Sequence, residues 1–456
     1  MKKVFSVLTV AVLAVSTVFA GFSGSASIGV GANFDNGNFG FLNQSQGVVL
    51  DAELSTANGE AVGEGDVYAS IKGSMELAYL GDKPATADHK PANQFGFFGI
   101  NAAITEAKVG GENWSVSILG LPWNPDYAKS ALDAEITWEK DAWGRGTGAK
   151  TAVAYDYKAP YAKTSGVAVN VMDYKASLGF LGDYSKADNK VNYNLTATFE
   201  TPEYNLNGFT VKAGTSYAYN NVKWNDDHDN IIPVDAGKNV NGLGVSAKVG
   251  YANDVLSASL ATDMGVDFLE TTKDEDRFNA DVAANFTYDF VAVDAYYATK
   301  ATSFYKGSEL GAKEDLLSAQ VAVDLNSFNV PVAIAVSGAD LINSQDLVLA
   351  VDVTPIEGLT VSAYGEYVID SKDWGTGASA EYKTDAFTVK GGVDVANAPE
   401  KVMLMANVSA ETEALIPGAK LAVGWAANDL LNVVDDVNVD GGVNYGSLTA
   451  SCTIKF

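Results

Sequence analysis

The side chains that could do chemistry in this chain are charged groups set at every second position of short alternating runs. From Phe387 to Val395 the polar set is Thr388, Lys390, Gly392 and Asp394; from Val191 to Phe199 it is Asn192, Asn194, Thr196 and Thr198. Lys72, Lys175, Lys212, Lys248, Asp281, Asp294, Asp324, Asp352 and Glu366 occupy equivalent polar positions elsewhere. Residues two apart on a strand share a face, so charges in this pattern would line a hydrated wall. The chemistry they offer is electrostatic selection among passing ions, not bond making. For any one of them, a merely solvated wall position is the simpler reading.

Bond-making chemistry finds little material. His89 and His228 are the only histidines, both in polar loop sequence, too few for a Ser-His or zinc site. No nucleophile elbow, H-E-x-x-H helix or phosphate-cradling glycine loop occurs, so no catalytic residue, cofactor or metal ligand is assigned and the chain is not read as an enzyme. Asp436 to Gly441 matches the first half of an EF-hand loop, but its twelfth position is Ser447 where a bidentate Glu belongs. Alternating Val with Asn and Asp there reads as a strand emerging from a polar loop. The runs Asp226-Asp227-His228-Asp229 and Asp274-Glu275-Asp276 read as solvated, mutually repelling loop surface. The formal charge of -27 excludes nucleic acid as a partner.

The elements that must carry these side chains are strands. In the last ten residues, Leu448, Ala450, Cys452, Ile454 and Phe456 alternate with Ser447, Thr449, Ser451, Thr453 and Lys455. A two-sided strand ending on Phe456 is the pattern of the closing strand, and of the assembly signal, of a transmembrane β-barrel. At the other end, Lys2 and Lys3 precede an apolar run from Val4 to Phe19, with small residues at Val18 and Ala20. Residues 1–20 therefore read as a cleaved signal peptide and 21–456 as the exported barrel. Hydrophobic residues make up 47% of the chain, yet beyond residue 20 no run is long enough for a membrane helix. Apolar content carried by alternation suits a wall with lipid on one face and water on the other, with every backbone group paired. Aromatics bound the apolar faces, as at Tyr193 and Phe199, Phe209 with Tyr217 and Tyr219, and Phe278 with Phe286 and Tyr288; such positions suit headgroup girdles. Cys452 is the single cysteine, so the fold closes without an internal disulfide.

Turn spacing predicts an up-and-down threading. Short connections at Ala252 to Asp254, Asp289-Phe290, Thr354 to Gly358 and Thr384 to Ala386 alternate with long polar ones at Asp267 to Arg277, Lys300 to Asp315, Asp370 to Gly377 and Asn428 to Val437. With short turns periplasmic, the first strand rises from Ser25 to Phe34, and Asn220 to Asn241 and Gly81 to Phe98 are outer loops. Parity then makes Asn438 to Phe456 one strand, with a bulge at Tyr445-Gly446-Ser447 absorbing a slip of apolar phase. The tally is 24 strands, within an even number of about 18 to 24. A barrel of that size encloses a water-filled lumen unless plugged, and Asn220 to Asn241 is the long polar loop most able to fold inward. Tyr305, Trp224 and Trp374 could anchor a protein contact or rest against the rim. Small outward residues such as Ala280 and Ala284 would permit barrel walls to pack together as a homo-oligomer, or lipid to pack closely.

The segment Gly63-Glu64-Gly65-Asp66-Val67-Tyr68-Ala69, with the repeated short strands and the terminal Phe456, resembles the major outer sheath proteins of treponemal spirochaetes. The resemblance implies an abundant outer-membrane porin that passes small hydrophilic solutes and ions, self-associates, and acts as a surface antigen whose outer loops bind host matrix proteins. It also implies that residues 21–190 could be a partly separate periplasmic region, where the strand pattern is interrupted at Leu121-Pro122-Trp123-Asn124-Pro125. Passive pore and anchored adhesin both stand at this point.

Overall fold

Alternation of β-branched and aromatic residues with polar ones, punctuated by tight turns, builds one continuous antiparallel sheet. The computed structural model describes residues 22–34, 37, 39–41, 47–55, 67–80, 97–120, 123–129, 135–140, 146–153, 164–185, 190–221, 240–269, 277–299, 315–338, 341–342, 345–370, 372–398, 401–427, 430–431 and 445–455. The strands are β1 (Phe22–Asn33), β2 (Phe39–Phe41), β3 (Gly47–Ser55), β4 (Tyr68–Leu80), β5 (Phe97–Gly111), β6 (Trp114–Gly120), β7 (Glu135–Lys140), β8 (Gly146–Val153) and β9 (Ser165–Val171). They continue with β10 (Tyr174–Ser185), β11 (Lys190–Glu200), β12 (Tyr204–Leu206), β13 (Phe209–Asn220), β14 (Asn241–Ala252), β15 (Leu256–Asp267), β16 (Phe278–Tyr288) and β17 (Val291–Ala298). The remainder are β18 (Leu316–Asp324), β19 (Val332–Gly338), β20 (Asp346–Ile356), β21 (Leu359–Val368), β22 (Trp374–Lys383), β23 (Thr388–Ala398), β24 (Lys401–Ile416), β25 (Ala419–Ala427) and β26 (Ser447–Lys455).

The sheet holds 24 strands, of which 22 form a closed ring. Closure joins the two ends of the chain: β1 runs antiparallel to β26 from Ser25 opposite Lys455 to Asn33 opposite Ser447. The ring is smaller than the tally of 24 for identifiable reasons. β2 and β3 share one edge of β1. β12 continues the line of β11 along β13. β7 and β8 form a hairpin of their own.

The break between β11 and β12 is chemical. Pro202 has no N–H to give to a ladder, and the gap at residues 201–203 is bridged by Thr201, whose N–H donates to the Ala213 carbonyl at 2.8 Å. Its Oγ1 accepts from the Ala213 N–H at 3.0 Å. Asn207-Gly208 then makes a two-residue hairpin with both φ positive, at 55° and 88°, the geometry that matches strand twist and that Asn-Gly adopts at least cost.

Two-residue turns at Glu112-Asn113, Met172-Asp173, Asn207-Gly208, Asp289-Phe290, Glu357-Gly358 and Pro417-Gly418 all lie at one end of the ring, where β1 also begins and β26 ends. The expected loops within 81–96, 222–239, 270–276, 300–314 and 432–444 fall outside the described residues, as do both histidines, the EF-hand-like run, Tyr305 and Trp224. Two of the boundaries that differ from expectation bear on the threading. β22 starts at Trp374, shortening the loop expected over Asp370 to Gly377, because Tyr367 pairs with Trp374. β26 starts at Ser447, after Gly446 at φ 73°, whose carbonyl accepts from Phe34 N–H at 3.0 Å; the upstream part of the predicted long strand lies outside the described residues.

One face of the ring is predominantly apolar among the described residues. Leu178, Val249, Leu260, Leu349, Val393, Val408 and Ile454 are exposed on it. Toward the turn end it carries Phe199, Tyr204, Phe209 and Tyr288, and toward the other end Phe180, Phe278, Tyr367 and Trp374, all exposed. Some of these rings meet their neighbours: Tyr174 stacks on Phe199, and Phe180 stacks on Tyr193. From Phe209 to Tyr219, ten steps of ~3.3 Å inclined at ~40–45° rise about 25 Å, the height of a lipid-facing band. Ala280 and Ala284 lie on this face by their alternation with the buried Asn279, Asp281 and Ala283.

Candidate functional site

The other face is polar and forms the inner wall. By strand spacing and tilt, a ring of 22 strands is about 40 Å across from backbone to backbone, far too wide for wall side chains to fill. The site follows from what lines this space and what folds into it.

Register puts the charges predicted from sequence on this inner face. Lys212 and Lys248 are direct partners across β13 and β14, and Lys175 sits opposite Glu200. Asp281 pairs with Asp263 across β15 and β16, and Asp294 accepts from Asn285 Nδ2 at 2.7 Å. Asp352 and Glu366 are on the inner faces of β20 and β21, in register with Ser362 and Val348. Asp394 accepts from Tyr364 Oη at 2.7 Å. Lys390 lies 2.6 Å from Glu381, and on the neighbouring pair of strands Lys420 lies 2.7 Å from Glu411, a ladder of exposed pairs toward the turn end, each worth under ~1 kcal/mol. Lys72 is in backbone register with Glu53 on β3 and Glu106 on β5. Asp324 has another job: it accepts from the N–H and Nδ2 of Asn326 at 2.9 and 2.6 Å, capping the 3-10 turn Leu325–Phe328 as a short carboxylate at a strand end does.

The connection between β6 and β9 leaves the sheet, and residues 123–129 (Trp123-Asn124-Pro125-Asp126-Tyr127-Ala128-Lys129) lie against the inner wall of β11 and β13 to β16. Two prolines within four residues prevent the segment from joining a ladder. It is held at named points. The Ser246 Oγ donates to the Pro125 carbonyl at 2.9 Å. Pro125 rests over Gly214, where a Cβ would stand 2.5 Å from the proline ring. The backbone N–H groups of Tyr127 and Ala128 donate to the Asp263 carboxylate at 2.9 and 2.6 Å. Asp263 is 0% exposed, and a buried carboxylate is tolerated only with such donors. Ala128, also fully buried, sits with Ala261, Ala283, Ala298, Tyr296 and Leu316; the small wall residues leave the space it occupies.

Tyr127 links the segment to the lysines. Its Oη donates to Glu200 Oε2 at 3.0 Å, and Glu200 Oε1 receives Lys212 at 3.0 Å and Lys175 at 3.3 Å. Lys212 also lies over the Tyr127 ring, 5.0 Å from its centroid, a cation–π contact. Burial and the adjacent Glu200 carboxylate push the Tyr127 phenol well above its ordinary range, so it stays a hydrogen-bond donor. Asp126 pairs with Lys129 at 2.5 Å. The hairpin β7–β8 belongs to the same connection, and β8 comes near β25, on the far side of the ring.

Sequence reasoning did not find the docking partners Asp263, Glu200, Gly214 and Ser246. Its signal for the segment was the proline-broken run from Leu121 to Pro125, and its expected inward loop, Asn220 to Asn241, lies almost wholly outside the described residues. Among the described residues no cluster of potential metal ligands occurs.

A closed antiparallel ring with a charged, hydrated inner wall and an apolar outer wall bounded by aromatics is a large transmembrane β-barrel. No protein-family model matches the chain, and no curated protein matches its sequence. Solved structures resemble it over nearly its whole length. A mutant of the ferric enterobactin receptor PfeA from Pseudomonas aeruginosa covers 95% of this chain and 80% of its own at 10% identity and a TM-score of 0.45. The translocation pore of the P pilus usher PapC covers 95% and 99% at 11% identity and a TM-score of 0.35. A triple-mutant porin of Rhodopseudomonas blastica covers 96% and 99% at 13% identity and a TM-score of 0.35.

Proposed function

We propose that this chain forms a channel in a bacterial outer membrane through which small hydrophilic solutes and ions diffuse passively, without a cofactor. The observation that carries the reading is the inner wall: charged and polar residues line a ring too wide to be filled by its own side chains, and residues 123–129, seated by Ala128 on a small apolar cluster of one wall sector, narrow it on that side only. The exposed apolar belt with aromatics at both edges supports the lipid setting, and the signal-like residues 1–20 are consistent with export. Discrimination among solutes then falls to the fixed charges beside the segment and to those farther round the ring, Asp352, Glu366 and Asp394 among them.

The finer reading, a porin similar to treponemal major outer sheath proteins, rests on the resemblance around Gly63 to Ala69. On that resemblance the channel self-associates and its outer loops bind host matrix proteins. Single-channel recording in planar bilayers with a salt gradient tests the proposal. Stable steps with a non-zero reversal potential are expected. Silence from a correctly folded, heat-modifiable barrel would refute an open channel.

A further inference from the structure

Beside Tyr127, the inner wall carries three basic residues in a row. Lys175 on β10, Lys212 on β13 and Lys248 on β14 face the lumen, and Glu200 is the single carboxylate bonded among them. Glu200 serves Lys175 and Lys212 together, so one carboxylate is shared by two of the three lysines. Lys248 makes no ion pair among the described residues, and its direct cross-strand partner is another lysine. Side chains directly opposite in an antiparallel pair have Cβ atoms ~5 Å apart, and like charges there are destabilising. The acidic residues on the adjoining wall are hydrogen-bonded to other groups and form no ion pair with Lys248 among the described residues. Asp263 is taken by backbone donors of the segment, Asp281 accepts from Tyr296 Oη at 2.8 Å, and Asp294 accepts from Asn285.

Lys175 remains 46% exposed and Lys212 26% exposed at the side chain, so both face water as well as Glu200. Thr210, two residues before Lys212 on the same inner face, adds a hydroxyl donor, and its cross-strand partner is Gly250, which adds no side chain beside Lys248. The ring of Tyr127, held by Glu200 and Lys212, walls the other side.

Resting on the channel reading, we propose that Lys212 and Lys248, with Lys175 beside them, form a binding step for small oxyanions such as inorganic phosphate. An anion between the two lysines removes their mutual repulsion and gains charge-assisted hydrogen bonds from both ammonium groups. The channel thus favours anionic solutes at this site although the chain as a whole carries a formal charge of -27. Selectivity is set by the charges within a Debye length, ~8–10 Å, and not by the distant loops.

The test uses the detergent-folded full chain. Equilibrium binding of radiolabelled inorganic phosphate is compared for the native protein, Lys248→Gln and Lys175→Gln, with heat-modifiable mobility as the folding control. Saturable binding that weakens with added salt is expected. Lys248→Gln should weaken it about tenfold, the loss of one charge-assisted contact, and Lys175→Gln by less, since Lys175 is occupied by Glu200. In bilayers, phosphate should reduce chloride current in the native channel and not in Lys248→Gln. A conducting channel that binds no phosphate, or binds it equally well in Lys248→Gln, overturns the anion step. Intact phosphate binding by a barrel that never conducts overturns the channel reading instead and upholds the site.

Discussion

Replacing Asp263 with alanine should release the inward segment while leaving the barrel intact. The carboxylate receives the N–H groups of Tyr127 and Ala128 at 2.9 and 2.6 Å, in a spot with no solvent exposure. Without it, both N–H groups are stranded in the docked state but hydrate freely once the segment swings into the lumen. An unmet buried donor costs ~1–3 kcal/mol, so the docked state loses at least about 2 kcal/mol, roughly a 30-fold fall in the docked-to-released ratio. The strand itself should tolerate the change: the ladder bonds of β15 are backbone bonds, and Ala261 already sits on the same face. The reporter is a cysteine at Ala128, 0% exposed when docked, in a background where Cys452, the other thiol, is changed to serine. Maleimide labelling in detergent should speed up by roughly 30-fold in Asp263→Ala if transient release limits access, and mean conductance should rise. Equal labelling rates in the two backgrounds would refute the claim that Asp263 holds the segment.

Further tests address the wall, the closure and the charges. Leu260 faces outward near mid-strand and is 49% exposed; Leu260→Arg should cost ~2–4 kcal/mol in a lipid-facing position and lower the heat-modifiable fraction, whereas Ser379→Arg on the inner face should leave folding unchanged. At Gly446, φ is 73° and a Cβ would meet the Ala426 carbonyl oxygen at 2.1 Å, so Gly446→Ala should destabilise the closing seam by more than ~1 kcal/mol, read as a lower temperature for loss of the folded band. Asp394→Asn removes a lumen charge near Tyr364 and should shift the reversal potential toward anion preference in a salt gradient, with Lys390→Gln shifting it the opposite way; an unchanged potential in both would mean that neither residue acts on the conduction path.

The fold was legible because a barrel wall is a local pattern repeated. Each strand must present one face to lipid and one to water, so Phe209 to Asn220 and Phe278 to Tyr288 declare their two faces in their own residues, and β1 and β26 their closure by parity of turns. Short turns such as Asn207-Gly208 write their geometry in the two residues that form them. The count of 24 slid to a ring of 22 because adjacency is not local: nothing in Tyr204 to Leu206 or Phe39 to Phe41 says that these strands share an edge already partly taken.

The inner faces were likewise readable as polar, and the lysines and aspartates named from alternation lie on them, save that Asp324 spends its carboxylate on a turn. What the sequence could not convey was which charges meet. Glu200, Lys175, Lys212 and Tyr127 come from four separate segments, and Asp263 is 136 positions from the Tyr127 N–H it binds. In sequence Asp263 is one more polar residue on a strand, and Gly214 one more glycine; only their position beneath Pro125 and Ala128 makes them a cradle. The sequence alone determined a two-faced strand and its repetition, since that periodicity is imposed by solvent on each residue separately. Tertiary structure decided the size of the ring, the segment that enters it and the partners of each charge, because those depend on contacts between residues that alternation leaves indistinguishable.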